Sequence, residues 1–458
     1  MIGGADPNST NGHASPHHVV TVAPELAAPE PMHDWSSIWH RMLSQKPTHL
    51  KQSAGNSSCC IFRVPATLKE LNPKAYKPRI VSIGPYHHGN ECVKMIEEHK
   101  PRFFTALVAR TRSSGVDFNH YFTAIALREK EIRDCYSEPL NFGSAKLIEM
   151  MVLDGCFIIE VLRVIDEIIP REHDDPLFNM YWTFTAFIRD FLYLENQIPF
   201  FVLQTLYDMS KLPNEPPCVE VALRFFNYAV QRPPEDLEKC YGVSDFKHLL
   251  HLMQLTLSDL PEEVPQESDP EYLQLVPSVT KLRRAGIKFK PRKCNGWLGI
   301  RFTDGVLEIP PLTIDDLASS FFLNCVAFEQ CYCYCPQHIT SYVTFIGCLM
   351  PTADDASFLS DRQVLENYCG THADVASFFN DLGKDVDFDI SNCYLAGVME
   401  DLNRYYRTRW RVNWTGFKRK YFGTPWYLIS AVAACLGLML AFIQSFFALY
   451  GYLLPPKQ

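Results

Sequence analysis

Positive charge is in short supply in this chain. Its 43 lysines and arginines face 52 aspartates and glutamates, a net charge of −9 with histidine neutral. Nucleic-acid binding needs a clustered cationic face to displace counterions, so the composition argues against a nucleic-acid partner. Cysteine is sparse as well. The 16 cysteines in 458 residues fall far below the density of a disulfide scaffold. Several sit in apolar helical patterns, such as Cys156 in MMVLDGCFIIE and Cys325 in FFLNCVAFEQ, where a free thiol packs as a small hydrophobe. No basic stretch followed by an apolar one opens the sequence, so no cleavable signal peptide is expected. Phosphate-binding glycine loops, G-x-S-x-G elbows and H-E-x-x-H helices are missing too, which removes the common routes to nucleotide, serine-hydrolase and zinc-protease chemistry. No repeat of fixed period is present.

Long uncharged runs are few, and the last one dominates. Residues 426–450, WYLISAVAACLGLMLAFIQSFFALY, carry no charge, and the chain ends eight residues later. As a helix they would reach roughly 37 Å, enough to cross a hydrocarbon core of about 30 Å. Trp426, Tyr427, Tyr450 and Tyr452 stand where interfacial aromatics belong. A transmembrane helix at 426–450 with a short 451–458 tail is therefore expected, with membrane lipids as its partner. Arg404, Arg407, Arg409, Arg411, Lys418, Arg419 and Lys420 precede the run and only Lys457 follows it. That asymmetry places the body in the cytosol; plasma membrane and endomembrane are not distinguished. In such a body the glycosylation-type triplets at Asn8, Asn56 and Asn413 would be inert.

Residues 1–32 are rich in Gly, Pro, Ser, Asn and His and read as a disordered arm. A 33–56 segment follows, an amphipathic helix and linker, with Trp35, Ile38, Trp39, Met42 and Leu43 on one face and Asp34 as N-cap. That stripe is expected to dock on the body, with a partner groove or a membrane surface as alternatives. From 57 to 422 the body begins with IFRVP and RIVSIGPYHHG, whose prolines predict short strands and turns. Helical periodicity then covers 94–112, 119–137, 144–165, 177–198, 219–231, 246–258, 315–332, 338–349, 373–382 and 395–410, and the acidic 256–274 stretch reads as a surface loop. One hairpin near 298–309 interrupts it. Asp304-Gly305 makes a two-residue turn, setting Phe302 opposite Leu307 and Ile300 opposite Ile309. The fold class is mainly α: a multi-helix globular body with a small β-hairpin element and a C-terminal transmembrane helix.

Three constellations could carry chemistry. Cys331, Cys333 and Cys335 alternate, with His338 behind them, a spacing that lacks the second ligand pair of a zinc site; helix-end packing is favoured over metal binding or reversible oxidation. His87 and His88 are adjacent in an extended segment, so their rings point to opposite faces and do not chelate one ion together. A turn whose rings bond neighbouring carbonyls is favoured over a site pairing His87 with a distant carboxylate. Asp190, Glu195, Asn196 and Gln197 lie among large apolar residues, as does Asp154. Buried carboxylates need partners, such as Arg189, a backbone amide or a histidine. Asp190 and Glu195 do not share a helical face, which weakens a paired-carboxylate hydrolase. No catalytic, cofactor-binding or metal-ligating residue is assigned, and no cofactor is expected.

The segments IFRVPATLKELNPKAYKPRIVSIGPYHHG, MMVLDGCFIIEVLR, RDFLYLENQIPFFVL, AGIKFK…GVLEIPPLTID, NCVAFEQ and DVASFFNDLGKDV resemble those of a large plant family, the domain of unknown function 247 proteins, from about residue 60 to 420. The stretch TADDASFLSDRQVLENYCG is a looser version of an acidic family segment. The resemblance implies a membrane-anchored plant protein without established enzymatic activity; some grass members are implicated in self-recognition on the pollen side of self-incompatibility. The reading that follows is a membrane-tethered recognition or signalling protein working through protein–protein contacts, not an enzyme. The alternative is a membrane-anchored hydrolase or transferase built on the His87/His88 turn and Asp154, Asp190 or Glu195.

Overall fold

The computed structural model describes residues 35–44, 47, 49–257, 271–293, 296–384, 386–408 and 425–453. The arm at 1–32, the Asp34 cap, most of the acidic loop and the basic residues from Arg409 to Lys420 lie outside them. Residues 1–47 form one unit and 48–458 a second. In the first, Trp35–Ser44 is a helix with no buried residue, and Trp39, Met42 and Leu43 are exposed; the expected docking of the stripe on the body is not shown.

The second unit is mainly helical with two small sheets. At its centre runs Ser144–Ile165, a 22-residue helix whose positions from Val152 to Arg163 are almost all buried. A sequence apolar on nearly every face belongs inside, wrapped by other helices. The wrapping is done by Lys100–Thr111, Phe118–Ala126 and Phe200–Ser210. A further group, Asp316–Cys331, His338–Leu349, Ala353–Asp361 and His372–Leu382, packs around the second sheet. One contiguous apolar core, from Cys59 to Leu402, joins the two groups.

The first sheet holds β1 (Lys288–Pro291), β2 (Arg301–Thr303) and β3 (Val306–Ile309) in the order β1-β3-β2. The hairpin forms with Phe302 opposite Leu307 as expected. The Ile300–Ile309 pair does not form, because the β2–β3 ladder stops at Arg301 opposite Glu308 and Ile309 instead aligns with Pro291 of the parallel β1. The second sheet pairs β4 (Leu312–Ile314) with β5 (Leu365–Asn367) in parallel. Its β5 comes from TADDASFLSDRQVLENYCG, which also supplies the Ala353–Asp361 helix, capped by Thr352.

Other expectations need correction. The 94–112 and 119–137 helices each break in two, at His99 and near Arg128. The 177–198 helix is Tyr181–Asp190, and residues 191–199 leave it as a turn. The strands expected in IFRVP and RIVSIGPYHHG are extended backbone without a sheet, save one bridge from Ile61 to Tyr136. Pro425–Leu453 is a helix of 29 residues, and its unbroken run of described side chains, 432–447, is exposed. Among the described residues no helix is long and apolar enough to cross a membrane. The span expected at 426–450 is thus not shown.

The turn at Asp304 and Gly305 has φ of 51° and 78°, the two positive values of a type I′ hairpin. Gly305→Val should lower the stability of the body by about 1–3 kcal/mol, because a β-branched residue resists that φ. Tyr405, whose Oη would lie 2.5 Å from a new Cβ, can swing aside, but the backbone cannot. Thermal unfolding reads the change, and an unaltered midpoint would show that the turn does not depend on its glycine.

Candidate functional site

Four of the segments that carry the resemblance meet in one buried polar hub. Its skeleton is the extended run 79–84, whose amide protons need acceptors and have no neighbouring strand to supply them. Side chains do so instead. The Asp190 carboxylate accepts the N–H of Arg79 (3.0 Å), Ile80 (2.8 Å) and Val81 (3.1 Å). Asn196 Oδ1 accepts from Ile83 at 2.7 Å, and Asp154 Oδ2 from Gly84 at 2.7 Å. Asn196 and Gln197 also fold back over the turn that follows the Tyr181–Asp190 helix. Their amide groups donate to Asp190 O (2.9 Å), Phe191 O (2.7 Å) and Tyr193 O (2.9 Å). Asn196 and Gln197 thereby close the turn beyond Asp190 and take carbonyls that a continuing helix would have used.

Glu195 lies at the hub's edge and is almost fully enclosed. Its oxygens take the Val64 N–H at 2.8 Å, Lys69 Nζ at 2.5 Å and Arg63 Nη1 at 3.2 Å. His87 Nε2 stands 3.4 Å away, close enough for attraction but too poorly aimed for a hydrogen bond. Burial alone would raise the Glu195 carboxyl; the approach of His87 and Lys69 and the Val64 amide outweigh it and hold the group down at about 2. Asp190 behaves oppositely. Its donors are neutral amides, so burial prevails and pushes it up to about 6. Burial also raises Asp154, against the pull of Lys100. That lysine is itself buried, with Nζ 2.5 Å from Asp154 Oδ1 and 2.5 Å from Ser82 O.

The structure thus joins His87 to Glu195, and parts His88, which faces Glu97 at 3.8 Å. The neighbouring-carbonyl bonding expected for both rings gives way to these carboxylates. Arg189 is not the partner of Asp190; it reaches toward Asp316 at 3.9 Å. Cys331 ends its helix half-buried, Cys333 is exposed, and Cys335 is buried with Sγ on Tyr332 O at 3.3 Å. Among the described residues no group of three or more His, Cys, Asp or Glu is placed to hold a metal. The space beside Asn196 and Gln197 has no room for a water-sized sphere.

Residue-by-residue reading missed Lys69, Lys100, Asn324 and Glu329. Asn324 Oδ1 accepts from Leu194 N at 2.8 Å while its amide donates to Ala75 O at 2.8 Å, stitching the hub to the second helix group. Glu329 caps the His338–Leu349 helix through Ile339 N (2.9 Å) and Thr340 N (2.7 Å), and burial pushes it up to about 7. Both lie in NCVAFEQ, where polar residues at i and i+5 in an apolar helix were the available signal.

The chain belongs to DUF247, described as plant protein of unknown function, whose model matches residues 61–440. It is 38% identical over 432 residues, 90% of each chain, to UPF0481 protein At3g47200 of Arabidopsis thaliana. It is 23% identical over 488 residues to the putative UPF0481 protein At3g02645 of the same plant, covering 84% of this chain and 89% of that one. No solved structure matches.

Two outcomes follow from the geometry. Gly84 has φ +74°, and a Cβ there would lie 2.5 Å from the backbone oxygen of Gln197; Gly84→Ala should cost about 3 kcal/mol or more, read by denaturant unfolding. Glu195→Gln should cost about 3 kcal/mol near neutral pH, the worth of a carboxyl moved from 4.5 to about 2. Because the folded value is depressed, that contribution is whole above 4.5 and fades as pH falls toward 2. His248 and His251, pushed down by burial to about 3 and about 4, weaken the fold from about pH 6.5 downward in parent and variant alike. The informative quantity is therefore the difference between the two proteins, flat above about pH 5 and shrinking below 4.5. A variant as stable as its parent would mean that Glu195 is not structural.

Proposed function

We propose that the protein is a membrane-tethered recognition or signalling component acting through protein–protein contacts. The observation that carries this reading is what the buried carboxylates do. Asp154, Asp190 and Glu195 are committed to amides, lysines and an arginine inside a closed core, which suits a scaffold better than a reaction. The tether is supported by Pro425–Leu453, which contains no Asp, Glu, Lys or Arg and exposes Leu436, Leu438, Phe442 and Phe447. An apolar surface of that extent calls for an apolar surround. The basic residues before it favour a cytosolic body. The Trp35–Ser44 helix, with Trp39, Met42 and Leu43 exposed, is of the kind that lies in a partner's groove. Self-recognition of the sort implied for some grass relatives falls within this class.

One observation favours the rival hydrolase or transferase, the approach of His87 to Glu195. A general base, however, needs a free lone pair and a pKa near the working pH. Glu195 has neither, held at about 2 by donors on both oxygens.

Full-length protein should stay with membranes through an alkaline wash and need detergent for release, whereas a chain ending at residue 424 should be soluble. Protease added to sealed microsomes should digest the body, and proximity labelling in plant tissue should mark a partner protein. Full-length protein soluble without detergent would defeat the tether. Turnover by the purified body that falls with His87→Ala while the fold persists would install the rival.

A further inference from the structure

A cleft of about 550 Å³ lies where the central helix ends, bordered also by the Tyr181–Asp190 helix. The size is that of a small-molecule site, generally about 300–1,000 Å³. Ile165, Ile169, Phe184 and Phe187 are among the apolar side chains that line it. Two charged residues share this apolar lining, Glu167 and Arg171. They are not paired with each other, and among the described residues neither has an ion-pair partner.

Both residues are exposed, and the backbone around each is ordered by hydrogen bonds. The central helix closes in a Schellman turn: Ile168 N–H bonds Arg163 O at 2.9 Å and Glu167 N–H bonds Val164 O at 3.3 Å. The left-handed position of that motif ordinarily takes glycine. Here it is Glu167, at φ 56°, a conformation that a residue with a Cβ seldom adopts. Arg171 uses Nη2 to bond Phe178 O and Asn179 Oδ1. Those neutral acceptors fix the guanidinium without compensating its charge. The cleft thus carries one exposed anion on a backbone-fixed position and one exposed cation tethered through Nη2, each able to meet a ligand's opposite charge.

We propose that this cleft binds a small zwitterion with a large apolar body, an apolar amino acid or short apolar peptide, with the ammonium on Glu167 and the carboxylate on Arg171. The inference does not depend on the tether or on the partner proposed above. Recognition of both ends explains why the strained turn carries Glu rather than Gly, and the aromatic wall would take the side chains.

Isothermal titration of the full-length protein in lipid nanodiscs, blanked against empty nanodiscs, tests it. The probes are phenylalanyl-phenylalanine and leucyl-leucine, each also in N-acetylated and C-amidated form. The free dipeptide should bind, and each capped form should bind about tenfold more weakly, roughly one lost charged contact. Glu167→Gln should erase the preference for the free amine and keep that for the free carboxylate; Arg171→Gln should do the reverse. No heat with either free dipeptide overturns the proposal. Equal binding of free and capped forms does so too, since the cleft would then be an unspecific apolar surface. The capping comparison needs no variant, so a misfolded mutant cannot decide the result.

Discussion

The structure depends on giving acceptors to a strand that has no sheet. Residues 79–84 run extended through the core, and an extended segment exposes an N–H at every residue. In a sheet the neighbouring strand would answer them. Here Asp190, Asn196 and Asp154 answer them, with three, one and one amide respectively. Each orphaned amide would cost about 1–3 kcal/mol, so the three side chains act together as a surrogate strand. They come from two helices and a turn, which are thereby fixed relative to one another. Gly84 marks the tightest point, where the run passes against Gln197.

Charge is used in the same spirit elsewhere in the core. Arg163 is fully buried and grips Glu215 with two bonds, at 2.7 and 2.9 Å, while Glu160 lies 3.3 Å away. Such a network seldom adds much over a hydrophobic replacement, because desolvation offsets the attraction. Its effect is geometric. Glu215 also accepts the Leu212 N–H, so the loop after Phe200–Ser210 is tied to the central helix. Lys100 does the same for the 82–84 run and Glu329 for the start of His338–Leu349. Buried charges, most of them carried by helices, are thus spent on tying down loops that a periodicity analysis treats as mere connectors.

That explains what was legible in the sequence. The central helix, 144–165, is read to the residue, because an apolar helix that long has no competing interpretation. The hairpin is legible because Asp304-Gly305 names its turn and the alternation around it sets the register. The parallel pairings of β1 with β3 and of β4 with β5 are not, since β4 and β5 lie about fifty residues apart and each strand is short. The 177–198 pattern misleads for a subtler reason. FLYLENQIPFF keeps helical apolar spacing, but Asn196 and Gln197 take carbonyls that a continuing helix would have used. The need of Asp190 and Glu195 for partners was legible from their apolar neighbours; the identities of Lys69, Arg63 and the 79–81 amides were not, because they are set by the path of a loop.

A polar group serves function only while some of its bonding capacity remains open. At the hub that capacity is closed: Glu195 accepts on both oxygens, and the space beside Asn196 and Gln197 is too small for a water. At the end of the central helix it is open, with Glu167 and Arg171 uncompensated beside a cleft of about 550 Å³. The two regions are linked through Ser144–Ile165, which carries Asp154 in its middle and leads into the Glu167 turn at its end. A strained left-handed glutamate can persist at its end because the helix before it has so little freedom to relax.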